Sequence, residues 1–130
     1  MVAITIKDES MTGKILNEIE IQVQRELTTV KDIIAARVTK EVETYNQQKK
    51  EYFNGFIRPT DAEQTLNGYK MRNRKKIDPE KQVYVALDAF QKNGFFVLVD
   101  DRQAETLEEE VLVNAKTTVS FVKLTPLVGG

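Results

Sequence analysis

The 130-residue chain predicts an α+β fold, a mixed sheet with one crossing helix plus an inserted second helix. Three observations predict it. Near the N-terminus two runs alternate apolar with polar residues, the period that half-buries a strand. From residue 30 the apolar spacing lengthens to three and four, the period of a helix with one buried stripe. Strand-like runs then return after residue 94. Two hairpin strands, a helix and further strands form a mixed sheet with the helix on one face.

The first run is Val2 to Lys7, with Ile4 and Ile6 on one face and Thr5 and Lys7 on the other. Asp8-Glu9-Ser10-Met11-Thr12-Gly13 supplies turn residues. The second run sets Ile19, Ile21 and Val23 against Glu18, Glu20 and Gln22, completing a hairpin. A helix is expected over roughly 29–52, capped by Thr28 or Thr29 with Asp32 in its first turn. Its stripe is Val30, Ile33, Ile34, Val38, Val42 and Tyr45, with Lys31, Arg37, Lys40, Glu41 and Glu43 off it.

Residues 53–77 are the least patterned, with turn signals at Asn54-Gly55, Arg58-Pro59 and Asn67-Gly68. Phe53, Phe56, Tyr69 and Tyr84 are expected to staple this segment onto the core. A second helix starts at Asp78-Pro79, an N-cap followed by proline in the first helical position, and ends at Asn93-Gly94. Its stripe is Val83, Ala86, Leu87 and Phe90. Phe95 to Val99 is a continuous apolar run and reads as a buried strand. Gln103-Ala104 adds a short strand, Leu107 and Val111, with Leu112 as a further candidate, point inward from an acidic stretch, and Thr117 to Leu124 is the last strand. The whole reads as one domain, 1–130, with an insertion over about 53–94 and a flexible tail over 125–130.

Composition excludes several chemistries. With no cysteine and no histidine, the chain has no thiolate, no imidazole base and no disulfide. There is no phosphate-binding glycine loop and no carboxylate pair at a recognisable catalytic spacing. A catalytic site, a cofactor and a metal site are therefore not expected. No apolar stretch approaches the ~20 residues of a membrane span, and Met1 to Ile6 lacks a basic head and a cleavage site. A cytoplasmic protein without a membrane partner is expected.

Two charged features stand out. Lys70 to Lys76 holds five basic residues in seven, and Arg72, Arg74, Lys75 and Lys76 are candidates for docking an acidic partner. The run could also bind phosphates or RNA, but a solvated loop is the simpler reading, because the rest of the chain is acidic enough to balance it and only Tyr69 is an adjacent aromatic; nucleic acid is not the expected partner. Glu105, Glu108, Glu109 and Glu110 read as a solvated turn suited to electrostatic complementarity.

The last third, FVLVDDRQAETLEEEVLVNAKTTVSFVKLTPLVGG, resembles the end of ubiquitin. There too an apolar strand leads to a polar turn, a short strand, a leucine before an acidic turn, a last strand and Gly-Gly. The order strand, strand, helix, strand, short strand, strand is that of the ubiquitin-like β-grasp family, bacterial ubiquitin-like modifiers included. The ending TPLVGG is similar also to the tails of the molybdopterin-synthase small subunit and the thiamine sulfur carrier. The resemblance covers about two-thirds of the chain, since residues 53–94 have no counterpart in ubiquitin.

It implies a protein modifier. An ATP-dependent activating enzyme would adenylate the Gly130 carboxylate, with Gly129 as the small neighbour that lets the tail enter a narrow cleft. The acyl group would pass to a lysine of a target protein, with a conjugating enzyme and a metalloprotease as further partners. Physical reasoning points the same way. Glycine permits close backbone approach, Pro126 biases the arm toward extended conformations, and Pro126 to Gly130 reaches on the order of 16 Å. Leu127 and Val128 would grip apolar walls, and Thr125 to Gly130 carries no side-chain charge, so the expected partner reads an apolar tail. Two alternatives stay open: a sulfur carrier ending in a thiocarboxylate, and a non-covalent binding module acting through the 53–94 insertion.

Overall fold

The computed structural model describes residues 1–48, 52–59, 62–65, 68–71 and 76–124. The chain is α+β, with a mixed five-stranded sheet and two helices among the described residues. β1 (Val2–Glu9) and β2 (Ile15–Val23) form the expected antiparallel hairpin, with Ile4 opposite Ile21 and Ile6 opposite Ile19. Asp8 and Glu9 belong to β1 rather than to the turn, which is Ser10 to Lys14 with Gly13 at φ +87°. β3 (Leu27–Thr29) leads into α1 (Val30–Gln48). The Thr29 hydroxyl accepts from the Asp32 N–H at 3.1 Å, so Thr29 serves as the cap.

The inserted segment is more regular than its sequence predicts. β4 (Tyr52–Phe53), β5 (Glu63–Thr65) and β6 (Gly68–Lys70) make a small antiparallel sheet in the order β4-β6-β5. Gly68 sits at φ +116°, where a Cβ would stand 2.3 Å from Asn54 Oδ1, so only glycine fits there. α2 (Pro79–Gln91) begins where expected: Asp78 is its N-cap and accepts from the Glu80 and Lys81 N–H groups. It ends with Asn93 at φ 62°, and the Gly94 N–H returns to the Ala89 carbonyl at 2.8 Å. α2 packs on α1, and its buried residues are Gln82, Ala86 and Phe90.

β7 (Phe95–Val99), β8 (Arg102–Gln103), β9 (Glu110–Leu112) and β10 (Thr118–Lys123) complete the sheets. The five-stranded sheet runs β2-β1-β10-β7-β8; β1 and β10 are parallel and every other neighbour is antiparallel. The last strand therefore lies in the middle. β3 and β9 pair separately. The core lies between the sheet and α1, where Ile4, Ile6, Ile21, Val97, Val119 and Phe121 meet Val30, Ile33, Ile34, Val38 and Val42. No helix among the described residues is long and apolar enough to cross a membrane.

The acidic stretch has a structural task. The Glu109 carbonyl accepts from the Val30 N–H at 3.1 Å, and the Leu107 carbonyl from the Lys31 N–H at 2.9 Å. These satisfy amides that a helix start leaves without partners. Leu107 and Val111 are buried as expected; Leu112, the further inward candidate, is instead exposed beside Leu27, because it alternates with Val111 along β9.

Candidate functional site

The tail residues Pro126, Leu127, Val128, Gly129 and Gly130 lie outside the described residues, as do Arg72, Arg74 and Lys75. Lys76 is exposed, immediately before the buried Ile77. What the structure does place is the base from which the tail departs: the end of β10, with Phe121 buried and Lys123 half-buried on the inward face.

Around that base stands a cluster of buried charge. Arg37, expected off the apolar stripe of α1, is fully buried, with its side chain 0% exposed. Its guanidinium grips both Asp8 carboxylate oxygens, the Nη2 to Oδ2 distance being 2.6 Å. Such a fork-to-fork pair is the geometry in which a buried arginine is best compensated. Glu41, also expected off the stripe, is only 8% exposed and lies 3.4 Å from Arg37 Nε. Its Oε1 accepts the Phe56 N–H at 3.2 Å, which ties the inserted segment to α1.

Phe56 carries the aromatic half of the cluster. Arg37 Cζ lies 4.5 Å from its ring centroid and 4.8 Å from that of Phe121, while Lys123 Nζ lies 4.5 Å from the Phe56 ring. Two cations share one ring, and the negative face of a ring attracts a cation more strongly when both are out of water. Phe56 also meets Phe95 and Phe121 edge-on, at 5.0 and 5.4 Å.

Charge states follow from these neighbours. Burial alone would lower the Arg37 pKa, but hydrogen bonding to Asp8 and the charges of Glu41 and Asp8 hold it raised. Burial raises the Glu41 pKa; Arg37 opposes this only in part, since its charge is already engaged by Asp8. Burial lowers the Lys123 pKa, Arg37 adds to the lowering, and Asp8 and Glu41 pull the other way.

A groove of about 460 Å³ opens on this cluster. Asp8 and Glu9 from β1, Asn17 from β2, Asn54 and Phe56 from the insertion, and Lys123 from β10 line it. Chemically it offers a half-buried amine beside carboxylates and amides. Among the described residues, no group of His, Cys, Asp and Glu is arranged to hold a metal ion.

The sequence reading missed this cluster, although two signals were present. Asp8 continues the parity of Ile4 and Ile6, so it belongs to the inner face of β1. Arg37 and Glu41 fall in phase with Val30, Ile33, Ile34, Val38, Val42 and Tyr45, four residues apart on the flank of the stripe. Of the expected staples, Phe53 and Phe56 are buried and Tyr69 is partly buried, but Tyr84 is 72% exposed.

No family model, curated protein or solved structure matches the chain.

Proposed function

We propose that this chain is a ubiquitin-like β-grasp modifier: its Gly-Gly carboxylate is adenylated by an ATP-dependent activating enzyme and transferred to an amine on a target protein. The observation that carries the reading is the strand order. The first and last strands lie parallel in the middle of the sheet, α1 crosses behind them, and the sequence Thr-Pro-Leu-Val-Gly-Gly begins two residues after the end of the central last strand. A tail that leaves a central strand starts from a rigid base, and a rigid base lowers the entropy lost when the arm is threaded into another protein. Gly129 and Gly130 present no side chain to a narrow cleft, and Pro126, Leu127 and Val128 supply the apolar grip.

The test is incubation of the intact chain with ATP and candidate activating enzymes of the adenylating class. An adenylate and then a thioester on one of them are expected, and deletion of Gly130 should abolish both. Intact mass separates the end products: an amide to a target lysine marks a modifier, and exchange of one carboxylate oxygen for sulfur marks a sulfur carrier. A chain that is never activated removes both.

One observation favours a second reading, a non-covalent binding module. Tyr84 and Val85, 72% and 42% exposed, face outward from α2, close in sequence to the Lys70 to Lys76 basic run. Partner binding that survives removal of residues 125–130 and fails on Tyr84→Ala or on charge reversal of Arg72, Arg74 and Lys75 would establish it.

A further inference from the structure

The chemistry of the tail leaves the Lys123 amine unused. We propose that Lys123 is an acylation site, whose amino group in the groove between β1, the 54–56 segment and the end of β10 takes the acyl group of small activated donors such as acyl phosphates and thioesters.

Position comes first. Lys123 stands on the inward face of β10, opposite Phe95, and its amine rests over the Phe56 ring instead of extending into solvent. Lys81 on α2 and Lys92 at its C-terminal end, by contrast, are exposed, and Lys92 is held by Asp88 at 2.8 Å. The charges facing Lys123 are Asp8 and Glu9 from β1 and Arg37 and Glu41 from α1; Asn54, Gly55 and Phe56 of the insertion bring none. Burial, the largest influence, shifts the balance toward the neutral amine, which is the nucleophile; Asp8 and Glu41 pull toward the charged form and Arg37 away from it. Lys92 is shifted the opposite way by its Asp88 hydrogen bond.

Room comes second. The groove holds about 460 Å³, which suits a small donor. Asn17 and Asn54 line the same groove and add polar, uncharged walls to it. The amine lone pair adds to the carbonyl carbon and a C–N bond forms. The C–O or C–S bond breaks with its electron pair leaving on phosphate or thiolate, and the amine proton passes to water. The product amide is neutral. Phe56 then keeps only Arg37 as a cation, and Asp8 and Glu41 face Arg37 alone, so the seat of the inserted segment loosens beside the base of the tail.

The test uses the full-length chain with acetyl phosphate near pH 7, following each lysine by peptide mass mapping over time. Lys123 should acetylate several-fold faster than Lys92 and Lys81 in the same sample. The preference should vanish when the chain is unfolded in urea. Acetylated protein should also exchange its amides faster around Phe56. Lys123→Arg identifies the signal and leaves the rates at Lys81 and Lys92 unchanged. Acetylation of Lys123 no faster than that of Lys92 in the folded chain overturns the proposal, as does a preference that persists in urea. No activating enzyme takes part, so failure of tail activation and failure of this inference are distinguishable.

Discussion

The sheet-and-α1 frame and the inserted segment are held by different kinds of contact. In the frame, Ile4, Ile6, Ile33, Ile34, Val97 and Val119 bury apolar surface against one another. That attraction has no direction and grows with area. The insertion rests on directed bonds as well. Phe56 donates to Glu41, Asn46 makes two bonds to the Ile77 backbone at 2.8 and 2.9 Å, and Gln82 Nε2 donates to the Ile57 carbonyl at 2.7 Å. A packed methylene can be lost in part, whereas a buried polar group without its partner carries its full desolvation cost. The frame should therefore weaken gradually under substitution, and the seat of the insertion should fail at single groups.

The largest effect is expected at the charge cluster. Arg37→Ala leaves the Asp8 carboxylate without its bidentate partner, and a loss of about 3–5 kcal/mol is expected in urea denaturation. Arg37→Met combined with Asp8→Leu should recover most of it. A single-variant loss below about 1 kcal/mol would mean that Asp8 regains its hydration and that the pair is not what seats the insertion. Phe56→Ala comes next, at about 3 kcal/mol, because the ring fills space between Phe95 and Phe121 and covers both cations. Ile6→Val in the frame should cost only about 1 kcal/mol. Equal losses at the two sites would erase the contrast.

Asn46→Asp keeps the acceptor for the Ile77 N–H but puts a carboxylate oxygen where the amide donated to the Ile77 carbonyl. About 1–3 kcal/mol should be lost, with faster amide exchange confined to residues 56–59 and 76–78. Asp78→Ala removes only the cap of α2 and should cost about 1 kcal/mol, read as fraying of that helix.

The smallest effect is a pH slope. Glu41 has a raised pKa in the folded chain because burial disfavours its charge. Between the unfolded and the folded pKa the native state binds more protons, so this stabilising contribution is complete below the unfolded pKa. It is lost as pH rises through the folded value. Glu41→Gln keeps an acceptor for the Phe56 N–H and should flatten stability across that window. A slope unchanged by the substitution would assign the dependence to another group.

Legibility divides along the same line as the contacts. The β1–β2 hairpin, the apolar stripe of α1, the Asp78-Pro79 start of α2 and the Phe95 to Val99 strand could be read directly, because each is written in a local period or a cap. The sheet formed by β4, β5 and β6 could not, since two or three residues are too few to show a period of two. Its Gly68 looked like a turn signal and is also the point where the backbone passes Asn54 too closely for a side chain. Helix α1 is described only to Gln48, short of the expected 52, and residues 49–51 lie outside the described residues. Arg37 and Glu41 were misread for a plain reason: charge normally marks the solvated flank of a helix, and only a partner from another element can keep it buried.

By itself the sequence determined the α+β class, the order of the long elements, the apolar face of each and the uncharged Gly-Gly tail, because alternation, helical spacing and capping act between neighbours in the chain. Only the tertiary structure decided that Asp8, Arg37, Glu41, Phe56 and Lys123 meet at the base of that tail. They come from the C-terminal ends of β1 and β10, from α1 and from the insertion, and no local period can encode a meeting of residues so far apart. Their pairing is stable only where the fold has already removed the water that would otherwise solvate each one alone.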